Sequence, residues 1–126
     1  MKAIETKYST RDGGHYVPGV AYNGILYISG QLSSNPETGK IPEGGIKPET
    51  KQALENLNLV LEGAGCTKEN VLQCRIYIPD VKLWEDVNEV YSEFFGDHKP
   101  SRVVVPSNNL YGGSLIEIEA IAALNE

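Results

Sequence analysis

A chain of 126 residues is long enough for one hydrophobic core and too short for two, and with 40% hydrophobic and 22% charged residues it has the composition of an ordinary globular protein. Seventeen acidic against eleven basic residues give a formal charge of -6 with no Lys/Arg cluster, which argues against nucleic acid as the main partner, because neutralised phosphates supply most non-specific affinity. No apolar run approaches the roughly 20 residues that cross a bilayer, and Met1 to Thr6 lacks the apolar core of a signal peptide, so a cytoplasmic protein with no membrane partner is expected.

Lys2 to Thr6 is a candidate short first strand, and Thr10-Arg11-Asp12-Gly13-Gly14 is turn chemistry. Val20 to Tyr22 and Ile25 to Ser29 are expected to pair across Asn23-Gly24, a strong two-residue hairpin signal. Gly30 interrupts the strand pattern, which predicts a bulge or a close backbone approach. Asn35 to Gly39 reads as a loop. A helix is predicted from about Pro48 to Glu62: Leu54, Leu57, Leu61 and Ala64 recur at helical spacing, Pro48 suits the first turn, and Gly63 and Gly65 mark the end. Val71 to Ile78 follows as a strand, ended by Pro79-Asp80. The second helix is predicted over Leu83 to Phe95, with Trp84, Val87, Tyr91 and Phe94 as its apolar stripe. Arg102 to Val105 reads as a strand entered through Pro100, and Pro106 to Ser114 as a hairpin loop. Leu115 to Leu124 is a strand with Ile116, Ile118, Ala120 and Ala122 on one face and Glu117 and Glu119 on the other.

The resulting order is ββαβαββ in a single domain spanning residues 1–126. Two helices packed on one face of a mixed sheet make an α+β sandwich. The other face would leave a large apolar patch on a monomer, so it is expected to meet another subunit.

Arg102 opens an otherwise apolar strand. A guanidinium there needs an anion, and its planar fork grips a carboxylate through two parallel hydrogen bonds; a structural salt bridge or an exposed edge position is the alternative. If the last two strands form a hairpin, Arg102 faces residue 117 or 118, and Glu117 is the partner that compensates its charge. A carboxylate beside an arginine and a substrate can hold a water and move a proton, whereas a solvated strand face explains Glu117 and Glu119 equally simply. Tyr16 lies in a loop where its ring could wall a pocket or merely pack. Ser29 and Gly30 could expose backbone groups to a ligand or serve a bulge. Asn88 is an unfavourable residue inside a helix and hints at a tertiary hydrogen bond, with surface exposure as the default. Cys66 and Cys74 form no CxxC pair and read as free thiols in a reducing cytosol. His15 and His98 are far apart, no metal-ligand spacing occurs, and no glycine pattern for phosphates or dinucleotides is present.

Together these stretches resemble the RidA family, also called YjgF or reactive intermediate deaminases. The resemblance runs from about Tyr16 to Ala122. It is carried by Tyr16-Val17-Pro18-Gly19, Leu26 to Gln31, Asn35 to Gly39, Gln52 to Leu57, Asn88 to Phe95, Pro100-Ser101-Arg102 and Ile116 to Ala122, in matching order and spacing. It implies a chorismate-mutase-like α+β fold and a homotrimer with sites between subunits. It also implies hydrolysis of 2-imino or 2-enamino acids to 2-keto acids and ammonia, without metal or organic cofactor. In that resemblance Arg102 grips the substrate carboxylate, Glu117 positions the attacking water, and Tyr16 lines the pocket from a neighbouring subunit. Gly30 and Asn88 match further pocket or support positions, and Ser29 remains a substrate-binding candidate beside Gly30. Active deaminases commonly carry a cysteine two residues after the arginine. Val104 stands there instead, offering only its backbone N–H to the substrate. The loop Asn108 to Gly113 also lacks the common Leu-Pro pair, which bears on substrate preference. The alternative function is a non-catalytic trimer that binds a small carboxylate as a metabolite sensor. Endoribonuclease activity, attached to some relatives, is disfavoured by the acidic composition and the lack of a catalytic histidine pair.

Overall fold

Asn23 and Gly24 both adopt positive φ, 51° and 78°, which is what a tight two-residue hairpin turn requires. They join β2 (Gly19–Tyr22) to β3 (Ile25–Gln31), and β1 (Lys2–Ile4) pairs with the outer side of β2. The computed structural model describes residues 1–8 and 14–125, so the turn expected over Thr10 to Gly14 lies almost wholly outside the described residues. The remaining elements are α1 (Ile46–Gly63), β4 (Val71–Ile78), α2 (Trp84–Phe95), β5 (Ser101–Pro106) and β6 (Glu117–Ala123). The chain order is therefore βββαβαββ, because the short first strand joins the sheet instead of being left out of the count.

The strands form a mixed sheet in the order β1-β2-β3-β6-β4-β5. The last two strands do not make the expected hairpin. β6 is inserted between β3 and β4, antiparallel to both, while β5 runs parallel to β4 on its far side. The reason is α2: it returns the chain along β4, so β5 enters the sheet parallel, and the segment after it must cross β4 to reach the gap beside β3.

Both helices cover one face. Leu26, Leu54, Leu57, Leu61, Ile76, Ile78, Ile116 and Ile118 are sealed between the layers, and each such side chain contributes about 1.5–3 kcal/mol relative to exposure. On α2 the buried stripe is Val87, Tyr91 and Phe95. Trp84 and Phe94, expected in that stripe, are respectively 37% exposed and half-buried. Helical spacing identifies an apolar face, but two adjacent stripes share it, and Trp84 belongs to the one turned toward the edge strand β5. The opposite sheet face carries Tyr22, Tyr27 and Val103, all exposed, together with a polar row from β4 and β6.

Candidate active site

Two clusters hold the residues singled out by the sequence. The first surrounds Arg102. Its strand neighbour is Cys74, a core residue, so Arg102 emerges on the helix side of the sheet at the start of the edge strand. There Nη1 donates to Asn88 Oδ1 at 2.9 Å. The guanidinium carbon lies 4.7 Å from the Tyr91 ring centroid and 5.2 Å from that of Trp84, within the range of cation–π attraction. Arg102 forms no ion pair with any described residue. It lines a cleft of about 430 Å³ with Asn88, Tyr91, Phe95, His98 and Pro100. The cation is thus half-buried, held by neutral groups only, and beside open space. An arginine so placed can pair with an anion that approaches from outside the chain.

Val104 points to the same side two residues on and packs against the core. The thiol nearest to Arg102 is that of Cys74 on the adjacent strand. Burial pushes it up to about 11, with only partial relief from Tyr91 and Arg102, so it is no nucleophile near neutral pH. The Tyr91 hydroxyl is buried without a hydrogen-bond partner among the described residues, and Cys74 adjoins it without reaching hydrogen-bond geometry.

The second cluster surrounds Glu117 at the start of β6. Its carboxylate lies against the β3 backbone at Gly30, where a Cβ would come within 2.6 Å of Oε2 and 3.0 Å of the carboxyl carbon. Gly30 is also where the β3–β6 register shifts, so both readings of that glycine, bulge and close approach, hold at once. Burial raises the Glu117 pKa, and the neighbouring Glu119 raises it further. Glu119 is itself held in place: Oε1 accepts from Arg75 Nε at 2.8 Å and from the Tyr77 hydroxyl at 2.7 Å. Glu117 accepts no hydrogen bond from a described residue. A carboxyl group so placed can accept a proton more readily than a solvated one and has its lone pairs free for a water.

Ser29 ties this cluster to the loop before β2. Its hydroxyl donates to Val17 O at 2.7 Å and its N–H to Pro18 O at 3.0 Å. That bond fixes the loop carrying Tyr16, which is 46% exposed and lines, with Gly30, Pro18 and Asn56, a cleft of about 370 Å³. The approach to Glu117 is braced from within the core. Buried Glu49, in the first turn of α1, accepts from Ser33 Oγ at 2.7 Å and from Leu115 N at 2.8 Å. Ser114 Oγ in turn accepts from Ser33 N at 3.2 Å. Glu49, Ser33 and Ser114 were not legible as a unit, because three distant segments supply them. Trp84 and Tyr91 were legible only as apolar helix residues.

The two clusters do not meet within one chain. β4 separates β5 from β6, a lateral gap of about 10 Å, and the β4 partners of Arg102 and Glu117, Cys74 and Tyr77, are three residues apart, about 10 Å more. The side chains also leave opposite faces of the sheet. The pairing of Arg102 with Glu117 across a hairpin is therefore corrected by the strand order.

The model for the family described as Endoribonuclease L-PSP matches residues 8–124. A RutC family protein of Pyrococcus horikoshii is 40% identical over 121 residues, which cover 96% of this chain and 96% of its own. A human protein named 2-iminobutanoate/2-iminopropanoate deaminase is 38% identical over 121 residues, covering 96% of this chain and 88% of its own. Among solved structures, Escherichia coli TdcF with bound serine matches with a TM-score of 0.92 at 32% identity, over 99% of this chain and 100% of that one.

Proposed function

Because this chain belongs to the Endoribonuclease L-PSP family, which takes in the RidA/YjgF proteins, we propose that it is a deaminase of reactive 2-imino acids. It releases 2-keto acids and ammonia at sites completed between copies of the chain, as in a homotrimer. The observation that carries this reading is the Arg102 cation, half-buried among neutral partners beside an open cleft. Such a group fits a small organic carboxylate better than any macromolecular anion on a surface of net charge -6. The bound serine of TdcF and the deaminase activity in the human relative's name support the same ligand class.

The chemistry follows from the two clusters. Arg102 binds the substrate carboxylate and fixes the C=N carbon. Glu117 of another copy orients a water against that carbon and takes its proton, giving a carbinolamine. Proton return to nitrogen expels ammonia and leaves the ketone. Tyr16, Ser29 and Gly30 shape the Glu117 half, Asn88 steadies the Arg102 half, and Val104 contributes only its backbone. No thiol is needed, since an iminium carbon is already electrophilic, and positioned proton transfer supplies about 10²–10⁴-fold. Free, buried Cys66 and Cys74 accord with a cytoplasmic setting.

The test is to supply a 2-imino acid generated in situ by an amino-acid oxidase and to follow keto-acid release. Accelerated release that is lost in Arg102→Ala, with the assembly intact, supports the proposal. Saturable keto-acid binding without acceleration would assign the sensor function instead. Turnover in Arg102→Ala equal to wild type would remove the role given to the guanidinium.

A further inference from the structure

Building on the assignment of Arg102 as the carboxylate anchor, we infer that Trp84 and Tyr91 are positioning residues that clamp its guanidinium by the faces and leave its edge to the substrate. A single hydrogen bond to Asn88 leaves the guanidinium plane free to swing about that contact. Two aromatic rings also approach the guanidinium carbon, at 4.7 Å for Tyr91 and 5.2 Å for Trp84, and contacts of this kind restrict that swing. Trp84, Asn88 and Tyr91 follow one another at spacings of four and three along α2, so one face of one helix sets all three contacts.

The chemistry of the clamp suits an anchor that must stay charged. A carboxylate partner from the same chain would hold the arginine equally well but would compete with the ligand. Aromatic faces attract the cation through their quadrupoles without neutralising it. They also displace water from the guanidinium faces, which strengthens what the remaining in-plane N–H groups do with an incoming carboxylate. Packing does not account for Trp84: it is 37% exposed and stands outside the buried cluster. Tyr91 is a core residue, and it is its ring that lies beside the guanidinium.

Trp84 is the chain's only tryptophan, so its emission reports on the clamp directly. The full-length protein is titrated with pyruvate, following tryptophan fluorescence and, separately, calorimetric affinity. A saturable emission change is expected. Trp84→Leu should raise the pyruvate Kd and the imine KM about five- to tenfold, while kcat falls less than twofold. Trp84→Phe, which restores a ring face, should recover most of the lost affinity. A Kd in Trp84→Leu within twofold of wild type overturns the clamp, as does equal impairment of the Leu and Phe variants. Loss of the fold in Trp84→Leu, read by thermal melting, would make the residue structural and overturn it too. Pyruvate binding that depends on Trp84 without imine turnover would sink the deaminase reading and leave the clamp standing. Turnover with Trp84-independent affinity would do the reverse.

Discussion

Replacing Gly30 by alanine adds one methyl group at the point where β3 touches the Glu117 carboxylate. The new Cβ would start 2.6 Å from Oε2 and 3.0 Å from the carboxyl carbon, against 3.4 Å or more in ordinary contact. The carboxylate end must therefore retreat by about 0.8 Å, and as the far end of a flexible side chain it yields before the strands do. Gly30 is not in the left-handed region, so alanine fits its backbone and gains about 0.4–1 kcal/mol by restricting the unfolded chain. Stability should stay within about 4 °C in Tm, the shift that roughly 1 kcal/mol produces in a domain of this size. Activity should not be spared. A displacement near 1 Å at a reacting group costs about 10²-fold, and kcat for imine hydrolysis should fall by that order. Thermal melting and steady-state keto-acid release on the same preparation check both halves. A variant that melts like the wild type and keeps kcat within about threefold would refute the assignment of Glu117 as the water-positioning group.

On the proposed intersubunit site, in which the two residues come from different copies, mixing Arg102→Ala chains with Glu117→Gln chains under subunit exchange should restore about one quarter of wild-type activity at equal amounts. Complete inactivity of a mixture shown to have exchanged would place both residues in one chain's site. Cys74 should resist iodoacetamide at pH 8 in the native protein, because a thiol pushed up to about 11 is only about 0.1% thiolate there and is buried as well; mass spectrometry should find it alkylated only after denaturation, and fast native labelling would contradict the packing around it. Leu57→Ala, at a fully buried position of α1, should cost about 2–5 kcal/mol by urea denaturation; a loss below about 1 kcal/mol would contradict close packing of α1 on the sheet.

What could be read in the sequence was whatever a few neighbouring residues decide. Asn23-Gly24 dictates its hairpin through local backbone preference, and the Ile116 to Ala122 alternation dictates which residues of β6 face the helices. Helix α1 begins two residues earlier than Pro48 suggests, at Ile46, because the spare N–H positions of a first turn extend beyond the proline itself. Strand order was not legible, since nothing in Arg102-Val103-Val104-Val105 or in β6 records that β4 lies between them. The candidate site shows the same division. Local pattern singled out Arg102, Glu117, Gly30 and Asn88 one by one, and resemblance supplied the roles expected of them. That the first and last of these share one cluster, and Glu117 with Gly30 another on the opposite sheet face, depends on long-range pairing that spacing along the chain does not encode.

β5 ends the sheet, and its outer N–H and C=O groups have no neighbouring strand among the described residues. Three consecutive valines, one of them 45% exposed, make such a rim a template for uncontrolled stacking of chains into insoluble ribbons. The template is interrupted at both ends, by a fixed positive charge at Arg102 and by the missing donor of Pro106. Arg102→Ala would therefore remove a charge beside this rim as well as the proposed carboxylate anchor, and the rim would then be bounded by Pro106 alone.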